Sequence, residues 1–201
     1  MGRVKSGCRD CRRAGEKLFL KGDRCVTEKC SLSRRKYPPG MHGAAPHRPT
    51  EYARRLREKQ KARRIYGLTE RQFRSYFEKA TRKAGVTGEK LLEMLEMRLD
   101  NVVFRLGFAV SRAGARQLVR HGHVSLNDRK TNIPSCQVKV GDLIRLKAKP
   151  LAAVAEKLKE YTPPGWLALT PESAGQIARA PSREDTERLI EESLIVEYYS
   201  R

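Results

Sequence analysis

The sequence predicts an α+β protein, mainly α, in which a metal-bound N-terminal segment precedes a helical part carrying an inserted helix-plus-hairpin module with a small twisted sheet. Three observations predict it. Four cysteines stand in two close pairs within the first thirty residues. From Thr50 to Val119 apolar residues recur at helical spacing behind capping residues. Short alternating runs bounded by turn residues follow at 123–130 and 137–147.

Cys8, Cys11, Cys25 and Cys30 form C-x2-C and, after thirteen intervening residues, C-x4-C. Both spacings suit one tetrahedral ion held by two knuckles, which predicts a structural Zn²⁺. Four protein ligands close such a site, so it folds the segment and does not catalyse. Redox disulfides and an iron–sulfur cluster are the alternatives, and nothing nearby resembles an electron-transfer partner. Gly22 lets the chain turn between the pairs. Tyr37-Pro38-Pro39-Gly40-Met41-His42-Gly43 reads as an irregular linker fixed by proline and glycine. His42 and His47 would be spare metal ligands, and Cys136 a small buried hydrophobe.

Thr50 is placed to cap a helix over Glu51–Ile65, whose Tyr52 and Leu56 begin an apolar stripe that Lys59 and Arg63 continue with their aliphatic stems toward Tyr66. That helix is expected to be weakly held from one side. Its remaining cations, Arg54, Arg55, Arg57, Lys61 and Arg64, repel one another unless they lie against phosphate, and a merely solvated helix is the alternative. Thr69-Glu70-Arg71-Gln72 is a capping box. The helix it opens places Phe73, Tyr76, Phe77, Ala80 and Ala84 on one core face, and no phosphate loop nearby supports a cofactor box. After Gly85, Thr87 starts a further stripe of Leu92, Leu95, Leu99, Val102, Val103 and Leu106, with a break near Arg98 and Asp100. Asp100 has no partner group that would make it catalytic.

Ser111 and Gly122 bracket a helix in which Arg112, Arg116 and Arg120 recur every fourth residue beside the apolar Ala115, Leu118 and Val119, with Gln117 and His121 close by. Arginine forks match phosphate oxygens bidentately, so an RNA backbone is the expected partner and a solvated surface helix the alternative. His123-Val124-Ser125-Leu126, the turn Asn127-Asp128 and Arg129-Lys130 read as a hairpin. Gln137–Val140 and Leu143–Lys147 read as further strand material around Gly141-Asp142. A modest helix is expected over Leu151–Tyr161, a strand at Trp166–Leu169, a helical turn at Ser182–Asp185 and a terminal strand over Leu194–Arg201. The expected organisation is therefore 1–48 as the zinc-binding segment and linker, 49–97 as the helical part, 98–150 as the RNA-binding module, and 151–201 packing on the helical part.

Charge narrows the function. The 201 residues hold 43 Lys and Arg against 23 Asp and Glu, a net +20 that points to a polyanion. It is uneven: 20 basic and 6 acidic residues fall in 1–64, 17 and 8 in 65–150, and 6 and 9 in 151–201. The RNA face is therefore expected in the first three-quarters. Aromatics at 6% are too few for recognition led by base stacking, which favours folded RNA over single strands. No long apolar run marks a membrane span or a secretory leader, so a cytoplasmic protein with no membrane partner is expected.

The pattern Arg98-Leu99-Asp100-Asn101-Val102-Val103, Ser111-Arg112, Ala115-Arg116-Gln117-Leu118-Val119 and His121-Gly122-His123 resembles the RNA-binding module of the family of small ribosomal subunit protein four. The cysteine segment with Leu18-Phe19-Leu20-Lys21-Gly22, the Tyr37–Gly43 linker, Pro164-Gly165-Trp166-Leu167 and the chain end resemble the same family in the same order. The resemblance implies a non-enzymatic constituent of the small subunit that binds its rRNA at a multi-helix junction early in assembly. It also implies contact with neighbouring protein five bearing on translational accuracy, and a place near the mRNA entrance pore, with His47 and Arg48 as the local candidates. A homo-oligomer is not expected. The RNA-contact candidates are Arg48, Arg54, Arg55, Arg57, Lys61, Arg64, Arg112, Arg116, Gln117, Arg120, His121, His123, Arg129 and Lys130. A stand-alone RNA chaperone or an RNA-modification factor carrying the same module is the alternative, although the fifty or so residues after Pro150 are few for a catalytic domain.

Overall fold

Helices begin where the sequence supplies caps. In the computed structural model, which describes residues 7–45, 48–147, 161–170 and 174–200, the helices in chain order are α1 (Cys8–Ala14), α2 (Ser31–Arg34), α3 (Glu51–Ile65), α4 (Glu70–Thr81), α5 (Thr87–Glu96), α6 (Leu99–Arg105), α7 (Arg112–Arg120) and α8 (Glu192–Tyr199). Thr50 Oγ1 accepts from the Ala53 N–H at 3.3 Å, Thr69 Oγ1 from Gln72 at 3.4 Å and Ser111 Oγ from Gly114 at 3.2 Å. Gln72 Oε1 in turn accepts from the Thr69 N–H at 3.2 Å, completing the box. Each such cap is worth about 1 kcal/mol. The strands are β1 (Val124–Leu126), β2 (Arg129–Lys130), β3 (Leu143–Leu146), β4 (Leu167–Thr170) and β5 (Ala174–Ile177). The chain divides into two units, Met1–Gly88 with Arg188–Arg201, and Glu89–Glu187.

In the first unit α3 is held more firmly than its sequence suggests, because α8 packs along it. Ala62 and Ile65 are buried, and Lys59 is 3% exposed. The Lys59 ammonium does not snorkel to solvent. It pairs with Glu70 at 2.7 Å and lies 4.4 Å from the Tyr198 ring centroid. The expected terminal strand over Leu194–Arg201 is instead this helix, Glu192–Tyr199. Packing decides it: a helix turns Ile195 into full burial, sets the Tyr199 ring 4.5 Å from Phe77 and lets the Tyr199 hydroxyl donate to Glu70 at 2.9 Å. Those contacts outweigh the strand preference of Leu-Ile-Val. The core face of α4 keeps Phe73 and Ala80 buried, but Ala84 is exposed beyond the helix end. There the Lys83 N–H turns to the Ala80 carbonyl at 3.1 Å and closes the helix earlier than its periodicity predicts.

In the second unit the expected break near Arg98 is real and has a partner. The Leu99 N–H donates to Cys136 O at 2.9 Å, Asp100 N–H to Pro134 O at 3.1 Å and Val138 N–H to Met97 O at 3.0 Å. These bonds commit the chain around Gln137 to the joint between α5 and α6. Consequently Gln137–Val140 is not a strand and retains one bridge, Arg98 with Gln137. Cys136 is half-buried against the core.

The sheet has five antiparallel strands in the order β2-β1-β3-β5-β4, with Val124 opposite Leu146, Ile144 opposite Gly175 and Leu167 opposite Ile177. Strand β5 has no counterpart in the sequence reading. Its Ala-Gly-Gln-Ile run is neither β-branched nor cleanly alternating, and it becomes strand by pairing on both edges. The hairpin turn forms without glycine, Asn127 and Asp128 both taking left-handed backbone at φ 49° and 64°. Asn and Asp tolerate that region because short polar side chains bond locally. Here Asn127 Oδ1 accepts from the Leu143 N–H at 2.9 Å, and its amide donates to Asp142 at 2.8 Å. Leu99, Val102, Val103, Leu106, Ala115, Val119, Val124, Ile144, Trp166 and Ile177 form the core between helices and sheet. Ser182–Asp185 yields the expected turn, a 3-10 element at Arg183–Asp185. The expected Leu151–Tyr161 helix lies, except for Tyr161, outside the described residues.

Candidate nucleic-acid interface and cysteine pocket

The arginine stripe of α7 is divided by the fold. Asp100, 3% exposed at the start of α6, accepts from Arg98 Nε at 3.0 Å and Nη2 at 2.9 Å, and from Arg116 Nε at 2.8 Å and Nη2 at 2.5 Å. A second network is centred on fully buried Glu96, which accepts from Asn101 Nδ2 at 2.6 Å and from Arg105 at 3.0 and 2.8 Å. Arg112 donates to Asn101 Oδ1 at 2.7 Å, pairs with Glu187 and lies 4.6 Å from the Phe104 ring centroid. Arg112 and Arg116 are therefore anchored to carboxylates of their own unit. Arg120 is exposed and makes no ion pair among the described residues.

Beyond Arg120, helix and hairpin meet at Gly122, whose φ of 72° ends α7. Lys130 lies so close over it that a Cβ there would meet Lys130 Cε at 2.3 Å. The exposed side chain thus passes over the end of α7, where the helix dipole favours a cation. Exposed Gln117, Arg120, His121, Arg129 and Lys130 share this end of the unit with half-buried His123, whose ring is 6.2 Å from that of His121. Arg129 and Lys130 also lack ion pairs among the described residues.

Burial pushes the Glu187 carboxyl up, but the guanidinium groups of Arg112 and Arg105 outweigh it and hold Glu187 below its ordinary 4.5. A depressed carboxylate contributes stability above its unfolded pKa and loses it as pH falls through the folded one. Urea midpoints of the second unit should therefore fall on acidification below about pH 4.5, and Glu187→Gln should flatten that fall. An identical acid-side profile in the variant would contradict the assignment.

In the first unit the α3 candidates also separate. Arg55 pairs with Glu197 at 2.7 Å, Lys61 with Glu58 at 2.9 Å and Glu16 at 3.2 Å, and Arg64 with Asp10 at 3.1 Å. Arg54 makes an exposed pair with Glu51 at 3.2 Å. Such a pair holds its guanidinium loosely. Arg57 is exposed without an ion pair among the described residues, and Arg48 is likewise exposed. The carboxylates on Arg55, Lys61 and Arg64 come mostly from distant sequence, which is why the helix alone read as self-repelling.

Cys8, Cys11, Cys25 and Cys30 line one small pocket with Lys21 and Leu32. All four are free thiols. Burial raises the Cys11 thiol, a shift its three cysteine neighbours add to, whereas the Ser33 and Leu32 N–H groups lower that of Cys30. Among the described residues no group of three or more His, Cys, Asp or Glu has the arrangement of a metal site. The donor set matches Zn²⁺ in chemistry and number. His42 is exposed and lies apart from this pocket, and His47 is outside the described residues.

Comparison with known proteins joins these surfaces to a family. Residues 4–96 match the family described as Ribosomal protein S4/S9 N-terminal domain, and residues 97–144 match the S4 domain. The chain is 56% identical to small ribosomal subunit protein uS4 of Syntrophomonas wolfei subsp. wolfei, across the whole of both chains. The chain belongs to the uS4 family. Members from Halothermothrix orenii and Geobacter sp. strain M21 are 54% and 56% identical over 96% of each chain. uS4 proteins are ribosomal proteins and not enzymes, and the S4 domain is an RNA-binding domain. In this chain it carries the anchored Arg112 and Arg116, the exposed end of α7 and the hairpin. The carboxylate clamps were missed in the sequence, although Asp100 and Asn101 stood inside the quoted family pattern.

Proposed function

We propose that this chain is a constituent of the small ribosomal subunit in the cytoplasm and binds small-subunit rRNA directly, through a separate basic surface on each unit. The observation that carries the reading is the division of the α7 stripe. Two arginines fix the helix against carboxylates, and the exposed Arg120, Arg129 and Lys130 are left for phosphate, with Gln117, His121 and His123 beside them. Arg57, Arg54 and Arg48 supply the corresponding exposed cations of the first unit, where Arg55, Lys61 and Arg64 add charge while holding α3. Arg112 and Arg116 add positive potential to the second surface.

Family membership supports the finer roles: nucleating assembly of the subunit body, contact with neighbouring protein five bearing on accuracy, and proximity to mRNA at Arg48 and His47. The cysteine spacing and the shared pocket support a structural Zn²⁺ on Cys8, Cys11, Cys25 and Cys30, which would organise α1 and α2 without chemistry of its own.

Binding to small-subunit rRNA should weaken steeply with salt. Replacing Arg120, Arg129 and Lys130 together by Ala should reduce the log–log slope by about 2, at roughly 0.7 per lost phosphate contact. An unchanged slope would reject this surface. The chain should also co-sediment with the small subunit through a high-salt wash, and a soluble pool with RNA-modifying turnover would overturn the ribosomal assignment.

A further inference from the structure

Phe19 stands in the cysteine segment at φ 48°, left-handed backbone in which a bulky side chain is an outlier. The backbone has a reason to be there. The Leu18 amide bonds to the Cys11 sulfur, and the Lys21 N–H donates to Cys25 Sγ at 3.4 Å. Between these two amides the chain reverses, with Leu18 turned inward at 2% exposure. None of this needs the Phe19 ring. Glycine takes such a φ freely and asparagine tolerates it, whereas phenylalanine is strained there. The segment does use glycine at its other left-handed positions, Gly15 and Gly22, with φ 81° and 59°. The ring also gains little from the fold: it is 49% exposed, lies outside the wall of the cysteine pocket and makes no ring contact among the described residues. A single exposed apolar side chain is ordinary on a surface. One kept in a conformation that glycine would relieve points to a use outside the fold.

The surroundings say what kind of partner meets it. Residues 8–36 hold ten Lys and Arg against four Asp and Glu, which favours an anionic partner over another basic protein. Lys21 and Arg24 line the cysteine pocket alongside Leu20, the residue after Phe19. Both cations are exposed and without an ion pair among the described residues. An accessible ring beside free cations matches a nucleic acid, whose bases stack on aromatic faces while the phosphates meet Lys and Arg. We propose that the Phe19 ring is a stacking platform for one base of the bound RNA, with Lys21 and Arg24 meeting the neighbouring phosphates. This rests on the reading that the chain binds rRNA. It adds one base contact to a folded RNA otherwise held through its backbone, since unstacked bases are where side chains reach such an RNA.

The test uses the reduced full chain and full-length small-subunit rRNA. Phe19→Asn should lower affinity about tenfold, within the range for loss of one base–aromatic stack. The salt slope should not change, because no charge is removed. Amide exchange across residues 8–34 should be no faster than in the wild type, since asparagine suits the backbone better. Phe19→Tyr should keep wild-type affinity, and Phe19→Leu, apolar but without a π face, should fall with the asparagine variant. Wild-type affinity in Phe19→Asn overturns the platform and leaves rRNA binding intact. If Phe19→Asn exchanges faster, the other pair decides, and equal affinities of the leucine and tyrosine variants overturn it. Unchanged affinity for the rRNA with poorer incorporation into the small subunit would give the ring to a protein neighbour and overturn the RNA contact. A wild-type chain that does not bind the rRNA overturns both readings.

Discussion

With the proposed zinc on its four cysteines, chelation under reducing conditions is expected to unfold residues 8–34 while the second unit stays folded. That segment has little apolar core of its own: of its buried side chains, Cys11, Cys25 and Cys30 are proposed ligands and Leu18 is the one large hydrophobe. Its helices are seven and four residues long, below the length at which helices hold themselves. A structural zinc contributes on the order of 10 kcal/mol in such segments, far above what these short elements supply. The pairs Arg64–Asp10 and Lys61–Glu16 tie the segment to α3 and are too few to replace the ion. Amide exchange should rise across residues 8–34 on chelation, and Cys25→Ser should reproduce it with metal present. Metal analysis finding no zinc in reducing buffer would refute the proposal.

Asp100→Asn should destabilise the second unit by about 3–5 kcal/mol, because it leaves two guanidinium groups facing a neutral amide at a site where Arg98 is 2% exposed. The control is Asp128→Asn. Its pair with Arg145 is exposed, with side chains 68% and 45% accessible, and its loss should cost under about 1 kcal/mol. Trp166 is the chain's single tryptophan and is fully buried in this unit, so its fluorescence in urea reports both variants. A difference between them smaller than 1 kcal/mol would show that Asp100 is not the anchor the geometry makes it. Lost RNA affinity in Asp100→Asn should follow the unfolding and leave the salt slope of the folded fraction unchanged.

What can be read before folding is what local chemistry enforces. Thr50, Thr69 and Ser111 cap helices because a hydroxyl satisfies a nearby amide wherever the chain places it. The apolar faces of α4 to α7 are equally local, whereas the Asn127-Asp128 turn and the break at Arg98 are legible in the sequence but are fastened by partners 15 or more residues away. Total charge and its bias toward the first three-quarters of the chain pointed to a polyanion, and the family pattern to rRNA. Strand β5 and the terminal helix were not readable, since one exists through its two neighbours and the other through α3.

The candidate surface shows the same boundary. A helix carrying arginines every fourth residue is evident from spacing, and the stripe looked uniformly available because α7 contains no acid. The fold brings Asp100 and Glu187 to it from 16 and 75 residues away, and the two anchored arginines differ from Arg120 only by those partners. Composition and periodicity by themselves determined which ligand class this protein meets and which helices carry the charge. Only the tertiary structure decided which cations face outward, because ion pairing in a low-dielectric interior depends on distance in space and not along the chain.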